Sequence, residues 1–159
     1  MSSAHVITVS DGVSATTRDD DSGRALVRIL KDAGFEVIGP VVVPDEERRI
    51  AEAIVAAVDQ RADVVVTTGG TGLGPRDVTP QATSTVIDFE VPGIGEAMRR
   101  AGAASTPMAA LSRSMAGVRG QTLIINVPGS PKGATESLEA VLPTLAHAIK
   151  LLHGDTNHS

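Results

Sequence analysis

Residues 67–80 concentrate the residue types that can bind an anion. They read Thr-Thr-Gly-Gly-Thr-Gly-Leu-Gly-Pro-Arg-Asp-Val-Thr-Pro, with four glycines in six positions. Glycine lacks a Cβ and adopts positive φ readily, which lets backbone N–H groups close around an anion. Arg76 adds a cation, and Asp77 adds a carboxylate that could hold a metal ion. The stretch therefore predicts a phosphate or nucleotide site, whereas the alternative, a flexible turn, leaves Arg76 and Asp77 unexplained.

Two common phosphate-binding motifs do not fit this stretch. A Walker A loop ends in Gly-Lys-Ser or Gly-Lys-Thr, but here Gly74 is followed by Pro75 and Arg76. A Rossmann fingerprint reads Gly-x-Gly-x-x-Gly, and counting from Gly70 through Gly72 places Pro75 at the third glycine. The sequence therefore disfavours both a P-loop nucleotide-binding protein and a dinucleotide-dependent oxidoreductase.

The segments around this stretch predict strands that alternate with helices, which is typical of an α/β domain. The predicted strands are residues 5–10, 36–43, 63–66 and 121–127, the last being the second strand of a β-hairpin that starts near residue 111. Pro40 predicts an edge position or an irregularity for the second strand. We expect a three-layer α/β sandwich with a mostly parallel sheet and one antiparallel hairpin. Residues 1–159 would form one domain, with 155–159 as a disordered tail.

Four predicted strands end in polar or glycine- and proline-rich loops, at Ser10, Pro44, Thr68 and Pro128. Parallel strands bring such loops to the same edge of the sheet, where α/β proteins bind their ligands. The helices that follow would add unsatisfied N–H groups and the positive ends of their dipoles. The sequence therefore predicts an anion site built without net positive charge.

Several polar residues in these loops also have a purely structural explanation. Asp45 follows a proline and precedes acidic residues, which is typical of a helix N-cap. Residues 19–21 are all Asp and precede Ser22, which suggests favourable charge at a helix N-terminus with Ser22 as the cap; a metal site is the alternative. Thr79 followed by Pro80 likewise predicts a capped helix start. Loop serines are commonly caps or solvent contacts.

Composition limits the classes of protein that fit this chain. Its 159 residues suffice for one domain, and its only aromatic residues are Phe35 and Phe89, so an aliphatic core between parallel strands is expected. The chain has no cysteine, which excludes disulfides and thiolate sites. A net charge of -5 argues against nonspecific nucleic-acid binding. No apolar stretch approaches the roughly 20 residues that span a bilayer, so we expect a cytoplasmic protein without membrane contact.

Three motifs follow one another along the chain: residues 67–83, residues 106–117 and the Pro-Gly-Ser-Pro-Lys of residues 128–132. Taken together and in this order, they resemble the MogA/MoaB molybdopterin adenylyltransferases of molybdenum-cofactor biosynthesis. The resemblance extends from His5 to about His153. It implies a parallel-rich α/β fold, a homotrimer or, as in the MoaB branch, a hexamer, and Mg²⁺-dependent transfer of AMP from ATP to the terminal phosphate of molybdopterin. A contact with a molybdenum-insertion protein is also implied.

The resemblance carries two acidic positions over to this chain: Asp45, after Val-Pro, and Asp77, in Arg-Asp-Val-Thr-Pro. Both are expected to be catalytic and to bind Mg²⁺. Ser10 and Asp11 match the family's Ser-Asp, but Gly12 stands where the family often has Arg. The predicted substrate and nucleotide contacts are Ser10, Asp11, Ser22, Thr68, Gly69, Gly70, Thr71, Gly72, Arg76, Ser112, Gly129, Ser130, Pro131 and Lys132.

In the resulting hypothesis, Asp45 and Asp77 hold Mg²⁺ on the ATP phosphates and the glycine amides bind phosphate oxygens. Lys132 or Arg76 offsets the charge that develops during transfer. Ser112, Ser114 and Ser130 are candidates for contacts to the pterin or its phosphate. Two alternatives remain at this stage: a non-catalytic protein that binds molybdopterin or docks on a partner, and an enzyme that hydrolyses nucleotides without a pterin.

Overall fold

The computed structural model describes residues 1–155, in which six strands form one sheet between two layers of helices. The strands are Ser3–Val9 (β1), Glu36–Val43 (β2), Val64–Thr68 (β3), Phe89–Glu90 (β4), Ala116–Arg119 (β5) and Thr122–Val127 (β6). The helices are Asp11–Ser14 (α1), Asp21–Asp32 (α2), Glu47–Asp59 (α3), Thr79–Val86 (α4), Pro92–Ala103 (α5) and Pro131–Leu152 (α6), with a 3-10 helix at Pro107–Leu111. Apart from Asp155, the predicted tail of residues 155–159 lies outside the described residues.

The sheet has the strand order β2-β1-β3-β6-β5-β4. Strands β2, β1, β3 and β6 are parallel, whereas β5 pairs antiparallel with both β6 and β4. The predicted α/β sandwich with a mostly parallel sheet and one antiparallel hairpin is therefore confirmed. Because the four parallel strands point the same way, their following loops meet at one edge of the sheet.

Each face of the sheet packs against its own hydrophobic core, as the nearly continuous Val and Ile runs of buried parallel strands require. On one face, Leu26 of α2, Met98 of α5 and Leu138 of α6 pack against the sheet. On the other face, Ile54 of α3 and Ala82 of α4 do so. The site loops that precede α3 and α4 are therefore supported by a different hydrophobic core from the loops that precede α2 and α6.

Strand β2 lies at the edge of the sheet, and its centre is irregular. The Gly39–Pro40 peptide bond is cis, and the β1–β2 register shifts between His5 and Ile7. This confirms both features that Pro40 predicts. An edge position suits the proline because it cannot donate a hydrogen bond to a further strand.

The sequence predicts one helix that runs from Thr79 towards Phe89 and a second helix over residues 94–101 that Gly102 ends, and the structure corrects both. Helix α4 ends at Val86, and the short strand β4 follows where the sequence predicted more helix. Helix α5 begins at Pro92, because proline is well tolerated in the first turn of a helix, and it includes Gly102, which was predicted to end it. Across residues 1–155, no helix combines the length and apolar character needed to cross a membrane.

Candidate functional site

The loops after the parallel strands enclose two adjoining cavities at one edge of the sheet. The larger cavity has a volume of about 780 Å³ and the smaller about 480 Å³. Gly70, Asp77, Gly129 and Ser130 line both cavities and so form the wall between them. The glycine loop, here defined as residues 69–74, therefore lies where the two cavities meet.

The structure brings most of the predicted site residues to these cavities. Besides the shared wall, the larger cavity is lined by Thr71, Gly72, Ser112 and Lys132, and the smaller by Ser10, Ser22, Asp45, Thr68, Gly69 and Pro131. Asp11 and Arg76 line neither cavity. Most of the predicted residues are thus brought together at these cavities, and Asp11 and Arg76 lie outside the lining.

Asp45 holds the loop after β1 instead of capping a helix. Helix α3 begins at Glu47 with Glu46 at its N-cap, so the N-cap alternative for Asp45 is wrong. The Asp45 Oδ2 accepts a hydrogen bond from the Asp11 backbone N–H at 2.8 Å, and the Asp45 N–H donates to Asp11 Oδ1 at 3.0 Å. This reciprocal pair fixes the Asp45 carboxylate relative to the end of strand β1.

A second link joins Asp11 to the glycine loop. Arg76 donates from Nε and from Nη2 to the two Asp11 carboxylate oxygens, each at 3.0 Å. The hydrogen bond from Arg76, followed by that from the Asp45 backbone, lowers the pKa of Asp11. Arg76 is therefore engaged in a bidentate ion pair, and it acts on the site by holding two loops together.

Asp77 folds back on the glycine loop. Its Oδ2 accepts a hydrogen bond from the Gly74 N–H at 2.9 Å. A Cβ added at Gly72 would lie 2.9 Å from the same oxygen, so the loop passes this carboxylate too closely for a side chain. A Cβ added at Gly70 would overlap the Thr79 hydroxyl and lie 3.3 Å from Asp45 Oδ1. The glycine loop therefore lies close to both carboxylates and is hydrogen-bonded to that of Asp77.

Each carboxylate keeps one oxygen free for a ligand. Within residues 1–155, neither Asp45 Oδ1 nor Asp77 Oδ1 accepts a hydrogen bond from the protein. Burial, and then the negative charges of Asp11 and Asp77, raise the pKa of Asp45. A cation here would offset that repulsion. Carboxylate oxygens are hard donors that suit Mg²⁺, which commonly takes only one or two protein carboxylates and completes its shell with phosphate and water oxygens.

Among the described residues, no group of three or more His, Cys, Asp or Glu side chains is arranged to hold a metal ion. A metal ion held by Asp45 and Asp77 would take the rest of its ligands from phosphate and water oxygens.

Four successive backbone amides of the glycine loop complete the anion-binding features. The N–H groups of Gly70, Thr71, Gly72 and Leu73 donate to no acceptor in residues 1–155. All four residues line the larger cavity. Free N–H groups on successive residues can form a concave site for an anion, so these four amides are where the predicted anion site would lie.

Three hydroxyl side chains of the site make hydrogen bonds within the protein. Ser22 does not cap α2; Asp20 does, by accepting from the Gly23 N–H at 3.0 Å, and Ser22 Oγ donates to the Gly129 carbonyl at 2.6 Å. Thr68 Oγ1 donates to the neighbouring Pro128 carbonyl at 2.7 Å. Ser130 caps α6 by accepting from the Gly133 N–H at 3.1 Å. These bonds fix residues 128–130 against the ends of β3 and α2.

The wall of the larger cavity away from the glycine loop combines polar and apolar groups. Ser112 Oγ hydrogen-bonds to Ser114 Oγ at 2.9 Å, and Arg99 Nη1 donates to the Ser114 carbonyl at 2.6 Å. Lys132 Nζ lies 3.9 Å from Glu136 Oε1, and its side chain is 77% exposed. Leu73, Met108 and Leu111 are exposed apolar side chains of the same lining. This cavity can accept a molecule with both a flat apolar part and an anionic part.

Sequence reasoning missed two residues that contact the glycine loop. Thr79 was predicted as the cap of α4, but Val78 occupies that position, and Thr79 Oγ1 donates to the Gly69 carbonyl at 2.9 Å. Arg113 donates from Nε to the Gly72 carbonyl at 2.9 Å. For Thr79, its position within the glycine-rich residues 67–80 was a signal that could have indicated the contact. For Arg113, 41 residues away from Gly72 in the chain, no local pattern indicated the contact.

Comparison with known proteins gives the site a family context. Residues 5–147 match the family model described as "Probable molybdopterin binding domain". A molybdopterin adenylyltransferase of Helicobacter pylori (strain J99) is 39% identical over 156 residues, covering 94% of this chain and 87% of that protein. A crystal structure of the molybdopterin biosynthesis enzyme MoaB from Thermus thermophilus superposes with a TM-score of 0.91 at 50% identity, covering 97% of this chain and 98% of that one. A molybdenum cofactor biosynthesis bifunctional protein of Synechococcus elongatus is 41% identical over 95% of this chain, which spans 47% of that protein.

Proposed function

The chain belongs to the molybdopterin binding domain family, and on that basis we propose that it transfers AMP from ATP to the terminal phosphate of molybdopterin. The similarity to molybdopterin adenylyltransferases supports this reaction. The observation that carries it is the position of the glycine loop, close to both Asp45 and Asp77 and at the wall shared by two cavities. A transferase needs two substrates to meet at one phosphorus atom, and the shared wall offers that meeting point.

The reaction exchanges one phosphorus–oxygen bond for another. An oxygen of the molybdopterin phosphate attacks the α-phosphorus of ATP, the bond from that phosphorus to the bridging oxygen breaks, and pyrophosphate leaves. Both reactants are anions, so catalysis consists mainly of positioning and charge neutralisation. The reaction needs no covalent enzyme intermediate.

Asp45 and Asp77 are the residues proposed to hold Mg²⁺, through the carboxylate oxygens that the protein leaves free. When bound, the ion supplies positive charge to the phosphate chain. The N–H groups of residues 70–73 are proposed to bind phosphate oxygens directly. Their alignment before substrate arrives avoids the cost of reorganisation during transfer.

Lys132 is a better candidate than Arg76 for offsetting the charge that develops on the leaving group. Its ammonium group lies at the larger cavity and has only a long 3.9 Å contact to Glu136. The Arg76 guanidinium is bound to Asp11 through two hydrogen bonds and lines neither cavity. We therefore assign Lys132 to the substrate phosphates and Arg76 to holding the loops.

The protein is further proposed to work in the cytoplasm as a homo-oligomer, either a trimer or a hexamer, and to contact a molybdenum-insertion protein. The resemblance to the MogA/MoaB family supports the oligomer. The bifunctional relative from Synechococcus supports the contact, since it joins a similar domain to a second segment of comparable length. The mass in solution distinguishes a trimer from a hexamer.

Incubation of the protein with ATP, Mg²⁺ and molybdopterin tests the proposed reaction. We expect pyrophosphate and adenylylated molybdopterin in equal amounts, and no nucleotide turnover without the pterin. Binding of molybdopterin without release of pyrophosphate would favour the non-catalytic binding protein. Hydrolysis of ATP in the absence of the pterin would favour the nucleotide hydrolase.

A further inference from the structure

The glycine loop keeps its unusual shape because its carbonyl groups are held from behind. Thr79 holds the first two: its Oγ1 donates to the Gly69 carbonyl at 2.9 Å, and its backbone N–H donates to the Gly70 carbonyl at 3.1 Å. Thr79 is fully buried and lines neither cavity. It therefore contacts the loop only from the protein side.

Arg113 holds the next two carbonyls. Its backbone N–H donates to the Thr71 carbonyl at 2.8 Å, and its Nε donates to the Gly72 carbonyl at 2.9 Å. Its Nη2 also donates to the Asp77 carbonyl at 2.7 Å. Arg113 is half-buried and, like Thr79, lines neither cavity. One side chain thus ties the glycine loop to the backbone of a proposed metal ligand.

These four anchors also decide where the amides point. In a trans peptide the C=O of one residue and the N–H of the next point in opposite directions within one plane. The cis bond found in residues 1–155 is Gly39–Pro40, so every peptide of the glycine loop is trans. Holding the carbonyls of residues 69–72 therefore turns the N–H groups of residues 70–73 away from Thr79 and Arg113. Those are the four N–H groups without a protein acceptor, on residues that line the larger cavity.

We propose that Thr79 and Arg113 are positioning residues that preorganise four successive N–H groups of the glycine loop for a phosphate chain. The inference rests on the proposed function for the identity of the anion. Neither residue touches the substrate. Truncating the Thr79 side chain frees the Gly69 carbonyl, and truncating the Arg113 side chain frees the Gly72 and Asp77 carbonyls. The loop then spends part of its time with its N–H groups turned elsewhere.

The test measures binding of inorganic pyrophosphate in the presence of Mg²⁺, without molybdopterin, and follows the backbone amides by ¹H–¹⁵N NMR. In the wild-type protein, pyrophosphate should shift the amide signals of residues 70–73. Arg113→Met and Thr79→Val should each weaken pyrophosphate binding about tenfold or more and reduce those shifts, because the anchoring hydrogen bonds are lost. Thr79→Ser, which keeps the hydroxyl donor, should restore binding.

Two matched controls separate anchoring from general effects of the same substitutions. Arg119 Nη1 donates to the Val86 carbonyl at 2.8 Å, and Thr85 Oγ1 donates to the Ala82 carbonyl at 2.6 Å, both away from the glycine loop. Arg119→Met and Thr85→Val therefore remove an equal charge or hydroxyl and a similar bond. Both should bind pyrophosphate as the wild type does. Amide signals outside the loop report whether each variant is folded.

Three results would overturn the proposal. They are an absence of shifts at residues 70–73, pyrophosphate affinity in Arg113→Met equal to that of Arg119→Met, and pyrophosphate affinity in Thr79→Val equal to that of Thr85→Val. A failure of the proposed reaction is a separate outcome, because it appears in the pyrophosphate-release assay with molybdopterin. The binding test needs no turnover.

Discussion

Replacing Asp77 with Asn tests the part of the site on which the proposed chemistry depends most. The substitution keeps the side-chain volume and an Oδ acceptor for the Gly74 N–H, which the carboxylate now receives at 2.9 Å. It removes the negative charge and with it a hard ligand for Mg²⁺. The free energy of unfolding should therefore change by less than about 1 kcal/mol. Turnover should fall roughly 10²- to 10³-fold, the loss typical of removing one preorganised charge-stabilising group.

The assay is pyrophosphate release from ATP with saturating Mg²⁺ and molybdopterin, measured with thermal unfolding on the same preparations. Asp88→Asn is the matched control, because Asp88 Oδ2 also accepts a hydrogen bond from a backbone N–H, that of Gly120 at 2.8 Å, and Asp88 lines neither cavity. The control should keep wild-type turnover. Unchanged turnover in Asp77→Asn would remove Asp77 from the mechanism. A loss that matches a drop in melting temperature would instead assign it a purely structural role.

Three further predictions concern Gly70, Arg76 and His5. Gly70 has φ +73° and no room for a Cβ, so Gly70→Ala should destabilise the fold by about 1 kcal/mol or more and weaken ATP binding, as calorimetry can measure. Arg76→Gln removes a half-exposed ion pair with Asp11 and should change the free energy of unfolding by less than about 1 kcal/mol in denaturant titrations. Burial lowers the pKa of His5, so the unfolded chain takes up a proton there before the folded one does. Stability should be full above about pH 6.5 and fall below it, and denaturant midpoints from pH 7.5 to 5 should fall less steeply in His5→Gln.

Local patterns in the sequence were sufficient for the architecture apart from residues 86–103, where strand β4 was missed. Residues 36–43 were predicted as a strand with an edge or an irregularity at Pro40, and the structure has both. The reason is physical: strand and helix periodicity, and the missing N–H of proline, act within a few residues of their cause. The parallel pairing then follows because the strands alternate with helices.

Hydrogen bonds between loops could not be predicted in this way. The sequence favoured caps at Asp45, Ser22 and Thr79, and in each case a tertiary contact took the side chain: the Asp11 amide, the Gly129 carbonyl and the Gly69 carbonyl. Cap preferences are local and worth about 1 kcal/mol, so a well-placed partner distant in the chain can override them.

The sequence best predicted the site residues that lie at strand ends and helix starts. It missed a residue that reaches the site from a distant part of the chain. Gly70, Asp77 and Ser130 lie at the cavities because strand ends and helix starts place them there. Arg113 precedes strand β5 and reaches the glycine loop only because β5 packs beside β6. A single sequence contains no signal for such a contact.

The two separate cores have a consequence for how this fold can diversify. Asp45 and Asp77 precede α3 and α4, which pack on one face of the sheet, whereas Met98 and Lys132 belong to α5 and α6 on the other. Substitutions in the core beneath α2, α5 and α6 can reshape the larger cavity while leaving Asp45 and Asp77 in place. Directed evolution toward a different ligand in the larger cavity should therefore draw its successful mutations from α5, the 3-10 helix between α5 and β5, and the positions of α6 other than Lys132.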